Sequence, residues 1–404
     1  MSIDYSDDYI KLHMYEGKIG IEQESIRVDK NGNIAKSPHP FGNDKHISRD
    51  FAECQMEFIT DVFEGAKEAY EALKAIRERA KAVLHENDEY IWRFSNPPVL
   101  IEEEIVEAMY CGDEASRLEY RKYLAKKYGK KKMMYSGIHF NYSMPSDVIS
   151  YSFKKSAMAD IKEFTDKEYL SLAANMMRQA WLPVLLMAAS PVCDKSFFAK
   201  EKGTMFSGRA SMRCSDLGYW NDFVPVLDYT SVGGYIESID KYIRSGQLYS
   251  QAELYYPVRL KPVGENTFEN MRRFGISHIE YRPLDLVPYS DVGIIEEDLI
   301  FLHLWSIYLG GFNNNGFGER EQFEAIERVK RAALFDINKE LSNEGVEIIL
   351  DMKKLFGEKY SNVLDFEIDK LKNPKNRYAY KIYGQFKEDY IKRGMLLAKG
   401  GAGQ

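Results

Sequence analysis

Residues 20–28 read Gly-Ile-Glu-Gln-Glu-Ser-Ile-Arg-Val, and the placing of their two glutamates decides the fold. Successive side chains of a strand point to opposite faces, so Glu22 and Glu24 share one face while Ile19 and Ile21 share the other. The flanking Ile19, Ile21, Ile26 and Val28 predict a strand buried on one face only. Taken alone, a solvated pair of glutamates is the plainer reading. Three distant stretches repeat the pattern: Glu53 and Glu57 around Met56 and Phe58, His139 and Asn141 around Ile138 and Phe140, His278 and Glu280 around Ile279 and Tyr281. The economical solution is one sheet with an apolar back and a front lined by oxygen and imidazole ligands. Carboxylates gathered on one face repel each other unless cations sit between them. The pattern therefore predicts a polynuclear Mg²⁺ site, and such sites usually serve phosphate chemistry.

The rest of the chain sets bounds on this reading. Its 404 residues can bury a large core, and 45% hydrophobic with 29% charged residues is an ordinary globular composition. A net charge of −7 argues against non-specific nucleic-acid binding, and leaves metal ions to supply positive charge for an anionic nucleotide. Cys54, Cys111, Cys193 and Cys214 have no CxxC spacing, so neither a zinc knuckle nor a disulfide framework is expected. The acidic start is unlike a secretory or transit peptide, and the apolar run from Ala180 to Ala189 contains Pro183 and is too short to span a bilayer. A reducing cytoplasm is the expected location, with no membrane partner.

Residues 17–36 read as a hairpin turning at Asn31-Gly32, with a short return strand. Further strands are expected at 53–60, 136–143, 255–261 and 276–284, and helices at 61–87, 112–132, 165–189, 233–245, 319–342 and 376–397. Residues 203–222 read as a loop, and 310–318 as a helix break. The expected fold class is α+β: a mostly antiparallel sheet with helices banked on one side and a helical C-terminal third. One domain is expected over 1–404, with a sheet-rich core at about 15–290, helices at about 291–399 and a disordered tail at 400–404.

Four places admit competing readings. A helix over 50–57 would make Asp50, Glu53 or Cys54, and Glu57 a surface stripe. Phe58-Ile59-Thr60 favours strand, which leaves Asp50 on the entering loop and assigns metal ligation to Asp50 and Glu57. At 278–282, Glu280 is expected to bind metal and Arg282 a transferring phosphoryl group, with Arg259 and Lys261 repeating the pattern on a neighbouring strand. The competing reading there is a buried ion-pair network. His139 is either a structural hydrogen-bonder or a ligand beside the carboxylates. Arg213 to Tyr219 is either a plain turn or a substrate lid in which Arg213 bonds a carboxylate. No Walker A sequence and no strand-linked GxGxxG occurs.

Seven blocks together resemble the glutamate–cysteine ligase family, in its proteobacterial type and the ligase half of bifunctional glutathione synthetases. They are GIEQESIRV (20–28), SRDFAECQMEFIT (48–60), SGIHFNYS (136–143), ASPVCDKSF (189–197), SMRCSDLGY (211–219), ELYYPVR (253–259) and GISHIEYRPLD (275–285). The resemblance implies a fold akin to the catalytic half of glutamine synthetase, with a curved sheet holding two or three Mg²⁺ ions, replaceable by Mn²⁺, on its concave face. It implies Glu22, Glu24, Asp50, Glu57, His139 and Glu280 as metal ligands, with Glu280 and Arg282 catalytic. It further implies Arg213, Tyr219 and Tyr255 as residues lining the amino-acid site, and Phe51, Tyr120 and Leu124 around the acceptor pocket. Two departures stand out. The chain is shorter than typical members, and Lys132 to Tyr135 replace a Gln-Thr-Ile lead-in, which puts Met133 and Tyr135 beside the acceptor.

The activity this implies is ATP-dependent joining of the γ-carboxylate of L-glutamate to the amine of L-cysteine through a γ-glutamyl phosphate, the first step of glutathione biosynthesis. Its rivals are a relative using another amine, a non-catalytic relative that binds nucleotide or amino acid, and a Mg²⁺-dependent phosphohydrolase. No residue stands out as base for the acceptor ammonium.

Overall fold

The structure, a computed structural model, describes residues 3–109, 115–313 and 316–400. Its described strands are β1 (Lys18–Asp29), β2 (Ile47–Ser48), β3 (Gln55–Ile59), β4 (Phe63–Glu64), β5 (Glu89–Trp92), β6 (Ile138–Ser143), β7 (Val192–Asp194), β8 (Thr204–Phe206), β9 (Val258–Pro262) and β10 (Ile276–Leu284). Eight of them make one sheet in the order β2-β3-β1-β6-β10-β9, with β4 and β5 also pairing with β1. Every pairing is antiparallel. β1 is the organiser, because Lys18–Gln23 pair with β6 while Ile26–Asp29 pair with β5.

The back of the sheet is apolar as the alternation requires. Ile19, Ile21, Met56, Phe58, Ile138, Phe140, Ile279 and Tyr281 are all buried in one core cluster. Against them pack the helices Ala66–His85, through Leu73, Ile76 and Leu84, and Ile161–Gln179. The helix Glu296–Gly310 also lies there, buried at Leu299, Phe301, Leu302, Leu304, Trp305 and Ile307, so it has almost no wet face. A second cluster gathers Ile26, Val28, Phe51, Trp92, Phe94, Met134, Phe386 and Tyr390. Ile26 and Val28 have the parity of Glu22 and Glu24, so the far half of β1 is buried on both faces, contrary to the expected one-sided strand. The C-terminal helices close this second core, with the Tyr390 hydroxyl donating to the Asn96 carbonyl at 2.6 Å.

Several boundaries differ from expectation for identifiable reasons. The helix expected over 165–189 is two, Ile161–Gln179 and Trp181–Met187. Pro183 lacks an N–H and its ring would crowd the carbonyl four residues earlier, so the ladder breaks at Ala180. The expected 319–342 helix divides into Glu319–Ala332 and Lys339–Phe356, the second capped by Asn338. Likewise 376–397 becomes Tyr378–Phe386 and Tyr390–Ala398, the latter capped by Asp389. β9 starts at Val258 rather than 255, since Pro257 cannot donate to a ladder. The return strand of the first hairpin is a single bridge, Val28 to Ile34, and the 203–222 loop contains β8, paired with β7. The start of the 112–132 helix, Cys111 and residues 401–404 of the expected tail lie outside the described residues; the helix itself runs Ala115–Tyr128.

Candidate active site

Pairing register converts alternation into proximity. Glu24 lies opposite Glu57 across β1 and β3, and Glu22 opposite His139 across β1 and β6. Glu280 lies opposite Asn141 on β6 and Arg259 on β9. Directly paired residues share a face, so the five strands β3-β1-β6-β10-β9 lay one polar row across roughly 20 Å, at ~4.8 Å per strand. Its centre is a cluster of Glu22, His139 and Glu280, each offering a ligand atom within 4.8 Å of the others. His139 Nδ1 is 3.1 Å from Glu22 Oε2 and 3.8 Å from Glu280 Oε1, and Nε2 is 3.6 Å from Glu24 Oε1. Asn141 Nδ2 donates to Glu22 Oε1 at 3.1 Å, and the Gly137 amide donates to Glu24 Oε2 at 2.7 Å.

The row is acidic at one end and basic at the other. Burial, with Glu22, Asp50 and Glu24 nearby, holds the Glu57 carboxyl well above the usual carboxylate range. Burial and Glu24 push Asp50 up to about 6, against the pull of Arg121, His139 and Arg282. At Glu280 burial acts in the same upward direction, but Arg282, Lys261 and Arg259 outweigh it and hold the carboxyl well below its usual range. The ion pairs are 3.0 Å to Lys261, 3.1 Å to Arg282 and 3.8 Å to Arg259. The competing reading of this corner, a buried ion-pair network, is thus present, and it abuts the carboxylate cluster.

Beside the basic corner is a narrow cleft lined by Arg213, Tyr219, Trp220, Tyr255 and Arg282 among others. The Arg213 guanidinium donates to the Arg282 carbonyl at 2.8 Å and lies so close to Gly137 that a Cβ there would sit 2.4 Å from its Cζ. A side chain at 137 would displace it. The Tyr219 and Tyr255 rings pack tilted by 43°, with centroids 4.1 Å apart.

The remaining expected residues divide between the second core, which also takes in Tyr255 of the cleft, and positions away from the carboxylate cluster. Phe51, Leu124, Met133 and Tyr135 are buried in the second core, with the Tyr135 hydroxyl donating to the Leu217 carbonyl at 3.3 Å. Tyr120 packs at the edge of that core, its ring 5.4 Å from that of Tyr249. None of these five lines the cleft itself, but they share this core with Tyr255, which does. Glu53 does not join the front face. The chain turns at 53–54 before β3 begins, and its carboxylate accepts from the His39 and Met109 amides at 2.9 and 3.1 Å. His278 keeps its Nδ1 against the Ser277 hydroxyl at 2.7 Å, outside the central cluster. Asp285 is structural, accepting from the Ala189 amide and from Ser190 and Ser211. Ser48, whose hydroxyl donates to Glu57 Oε2 at 3.0 Å, gave no signal in the sequence because β2 is two residues long.

A family model described as glutamate-cysteine ligase matches residues 6–251 and 245–330. The chain belongs to the glutamate–cysteine ligase family. Among its relatives, the glutathione biosynthesis bifunctional protein GshAB of Clostridium perfringens is 32% identical over 97% of this chain and 55% of that protein. The GshAB of Enterococcus faecalis is 32% identical over 94% of this chain and 52% of that protein. In fold, the chain is similar to a bifunctional glutathione synthetase from Pasteurella multocida, with a TM-score of 0.86 and 29% identity over 97% of this chain and 53% of that one. The chain therefore spans about half the length of these members of the family.

Proposed function

We propose that the chain, as one catalytic unit, joins the γ-carboxylate of L-glutamate to the amine of L-cysteine with consumption of ATP. The observation that carries this is the meeting of Glu22, His139 and Glu280, from three strands, beside a basic corner and an arginine- and tyrosine-lined cleft. Family membership supports the reaction class.

The donor set suits a hard divalent cation: carboxylates that burial and mutual repulsion leave short of countercharge, and one imidazole. His139 Nε2 is buried without a hydrogen-bond partner, as a nitrogen awaiting a ligand would be. Glu22, Glu24, Asp50, Glu57, His139 and Glu280 would hold two or three Mg²⁺ ions, or Mn²⁺ in their place. The chemistry such ions supply when bound is neutralisation of phosphate charge.

The chain's own groups do the remaining work. A γ-carboxylate oxygen attacks the terminal phosphorus of ATP, ADP departs, and the product is a γ-glutamyl phosphate. The acceptor amine then attacks the acyl carbon, loses a proton and expels phosphate, leaving an isopeptide bond. Arg282, with Glu280 holding its guanidinium charged and in place, stabilises the transferring phosphoryl group. Arg213, Tyr219 and Tyr255 hold the amino acid in the cleft. Met133 and Tyr135, in the second core, would bear on acceptor choice through the Leu217–Tyr219 loop, to which the Tyr135 hydroxyl is bonded.

Among the described residues no helix is long and apolar enough to cross a membrane, and Cys54, Cys193 and Cys214 are free and buried, in keeping with a reducing cytoplasm. The deciding experiment is ADP release by the purified protein with MgATP, glutamate and a panel of amines. Release that needs glutamate and is highest with cysteine and 2-aminobutyrate is expected. Release highest with another amine would reassign the acceptor, and release without any acceptor would indicate hydrolysis.

A further inference from the structure

The helix Ala115–Tyr128 touches the site at two points. Near its middle the Arg121 Nε donates to the Asp50 carbonyl at 2.6 Å, on the carboxylate side. Its last turn meets Glu253, whose side chain has no exposed surface. Glu253 Oε1 accepts from Lys127 Nζ at 2.6 Å and from the Tyr128 hydroxyl at 2.7 Å, while Oε2 accepts from the Tyr249 amide. Lys127 also donates to the Gln247 carbonyl at 2.7 Å. Asn221 completes the arrangement. Its Nδ2 donates to the Glu253 carbonyl at 2.8 Å and to the Tyr128 hydroxyl at 3.1 Å, and its Oδ1 accepts from the Tyr255 amide at 2.9 Å. The bonds end at the backbone of a tyrosine whose ring packs tilted against Tyr219 and edge-on to Tyr128, the latter with ring centroids 5.4 Å apart.

A fully buried carboxylate with a partly exposed lysine is a poor stabiliser, because desolvation offsets the attraction and an apolar pair of similar volume would serve as well. Its directional bonds are what an apolar pair could not supply. They fix the height of the 247–255 loop relative to the helix, and hence the two aromatic rings in the cleft.

We infer that Glu253 and Asn221 are positioning residues that set amino-acid affinity by holding Tyr255 and Tyr219 in register with the Asp50 side of the site. This rests on the proposed ligase reading for its consequence, though not for its geometry. Neither residue touches the reacting atoms. Because misplacement by about 1 Å can cost on the order of 10²-fold, loosening this strap should weaken binding of the amino acid far more than that of nucleotide.

The test uses the full chain with Asn221→Ala, Glu253→Gln and Asn221→Asp, the last keeping the acceptor for the Tyr255 amide. Hydrogen exchange read by mass spectrometry should quicken over 247–257 in Asn221→Ala and Glu253→Gln and stay unchanged in β6. The KM for glutamate should rise about 10-fold in both, with the KM for MgATP within about twofold and Asn221→Asp partly restored. Unchanged exchange over 247–257 would overturn the inference. So would a fall in thermal stability with both KM values unmoved, or both rising together, since those mark a merely structural part. If the parent protein releases no ADP with any amine, the ligase reading fails instead. Exchange and calorimetric binding of glutamate to parent and variants then decide the positioning role by themselves.

Discussion

Glu57 and Glu280 are the same residue type on one sheet face, the first half-buried and the second buried, three strand spacings apart in a single polar row, and their carboxyls are driven in opposite directions. Around Glu57 stand Glu22, Glu24 and Asp50, and burial adds to their repulsion. Around Glu280 stand Arg282, Lys261 and Arg259, which more than cancel burial. The acidic end stores electrostatic strain that a cation would relieve, whereas the basic end is satisfied as it stands and offers its surplus charge to an anion. A site built this way would offer one pole to metal and one to phosphate, the polarity that the proposed phosphoryl transfer requires.

The contrast can be broken most severely at Glu280. Glu280→Gln should take turnover below detection and lower the unfolding free energy by about 3–5 kcal/mol, because one buried and two half-buried cations lose their fully buried anion. Steady-state ADP release and chemical denaturation measure the two effects, and retained activity would remove Glu280 from the site. The opposite end should respond oppositely. Glu57→Gln should cost about 10–100-fold in activity, yet leave the Mg²⁺-free protein as stable as the parent or more so, since one member of a repelling group becomes neutral. Loss of stability in that variant would mean the acids are not strained.

The smallest expected effect concerns pH. Asp50 titrates near 6 in the folded chain against 3.8 for an unperturbed group, so the folded state binds more protons between those values. Its contribution to stability is therefore most favourable below pH ~4 and is lost as pH rises through about 6. In the absence of divalent ions, Asp50→Asn should gain stability relative to the parent across that window and hold the gain above it. Saturating Mg²⁺ should close the gap. Thermal melts of both proteins from pH 4 to 7, with and without Mg²⁺, provide the check.

Legibility in the sequence followed the range over which each signal acts. Period-2 alternation identified the faces of β1, β6 and β10 and brought Glu22, Glu24, His139 and Glu280 to the front, because side-chain direction in a strand is a local property. It misplaced Glu53, since the turn at 53–54 is stabilised by contacts from His39 and Met109, far off in the chain. It also misjudged Ile26 and Val28, which join a second core assembled from segments as far apart as Phe51, Trp92 and Tyr390. The helix breaks at 180, 333–338 and 387–389 carried local signals in Pro183, Asn338 and Asp389, and the long apolar periodicity masked them. Ser48 could not be found at all, because a two-residue edge strand has no period.

What the chain's letters determined without help was the chemistry available: which side chains alternate, which faces are greasy, and that acids and cations are concentrated in a few short runs. What only the folded molecule decided was adjacency. The strand order β3-β1-β6-β10-β9 and its register are set by packing across hundreds of residues, and they alone sort the charges into two poles. Coulomb energy depends on distance in space, and distance in space is not written in the spacing of residues along a chain.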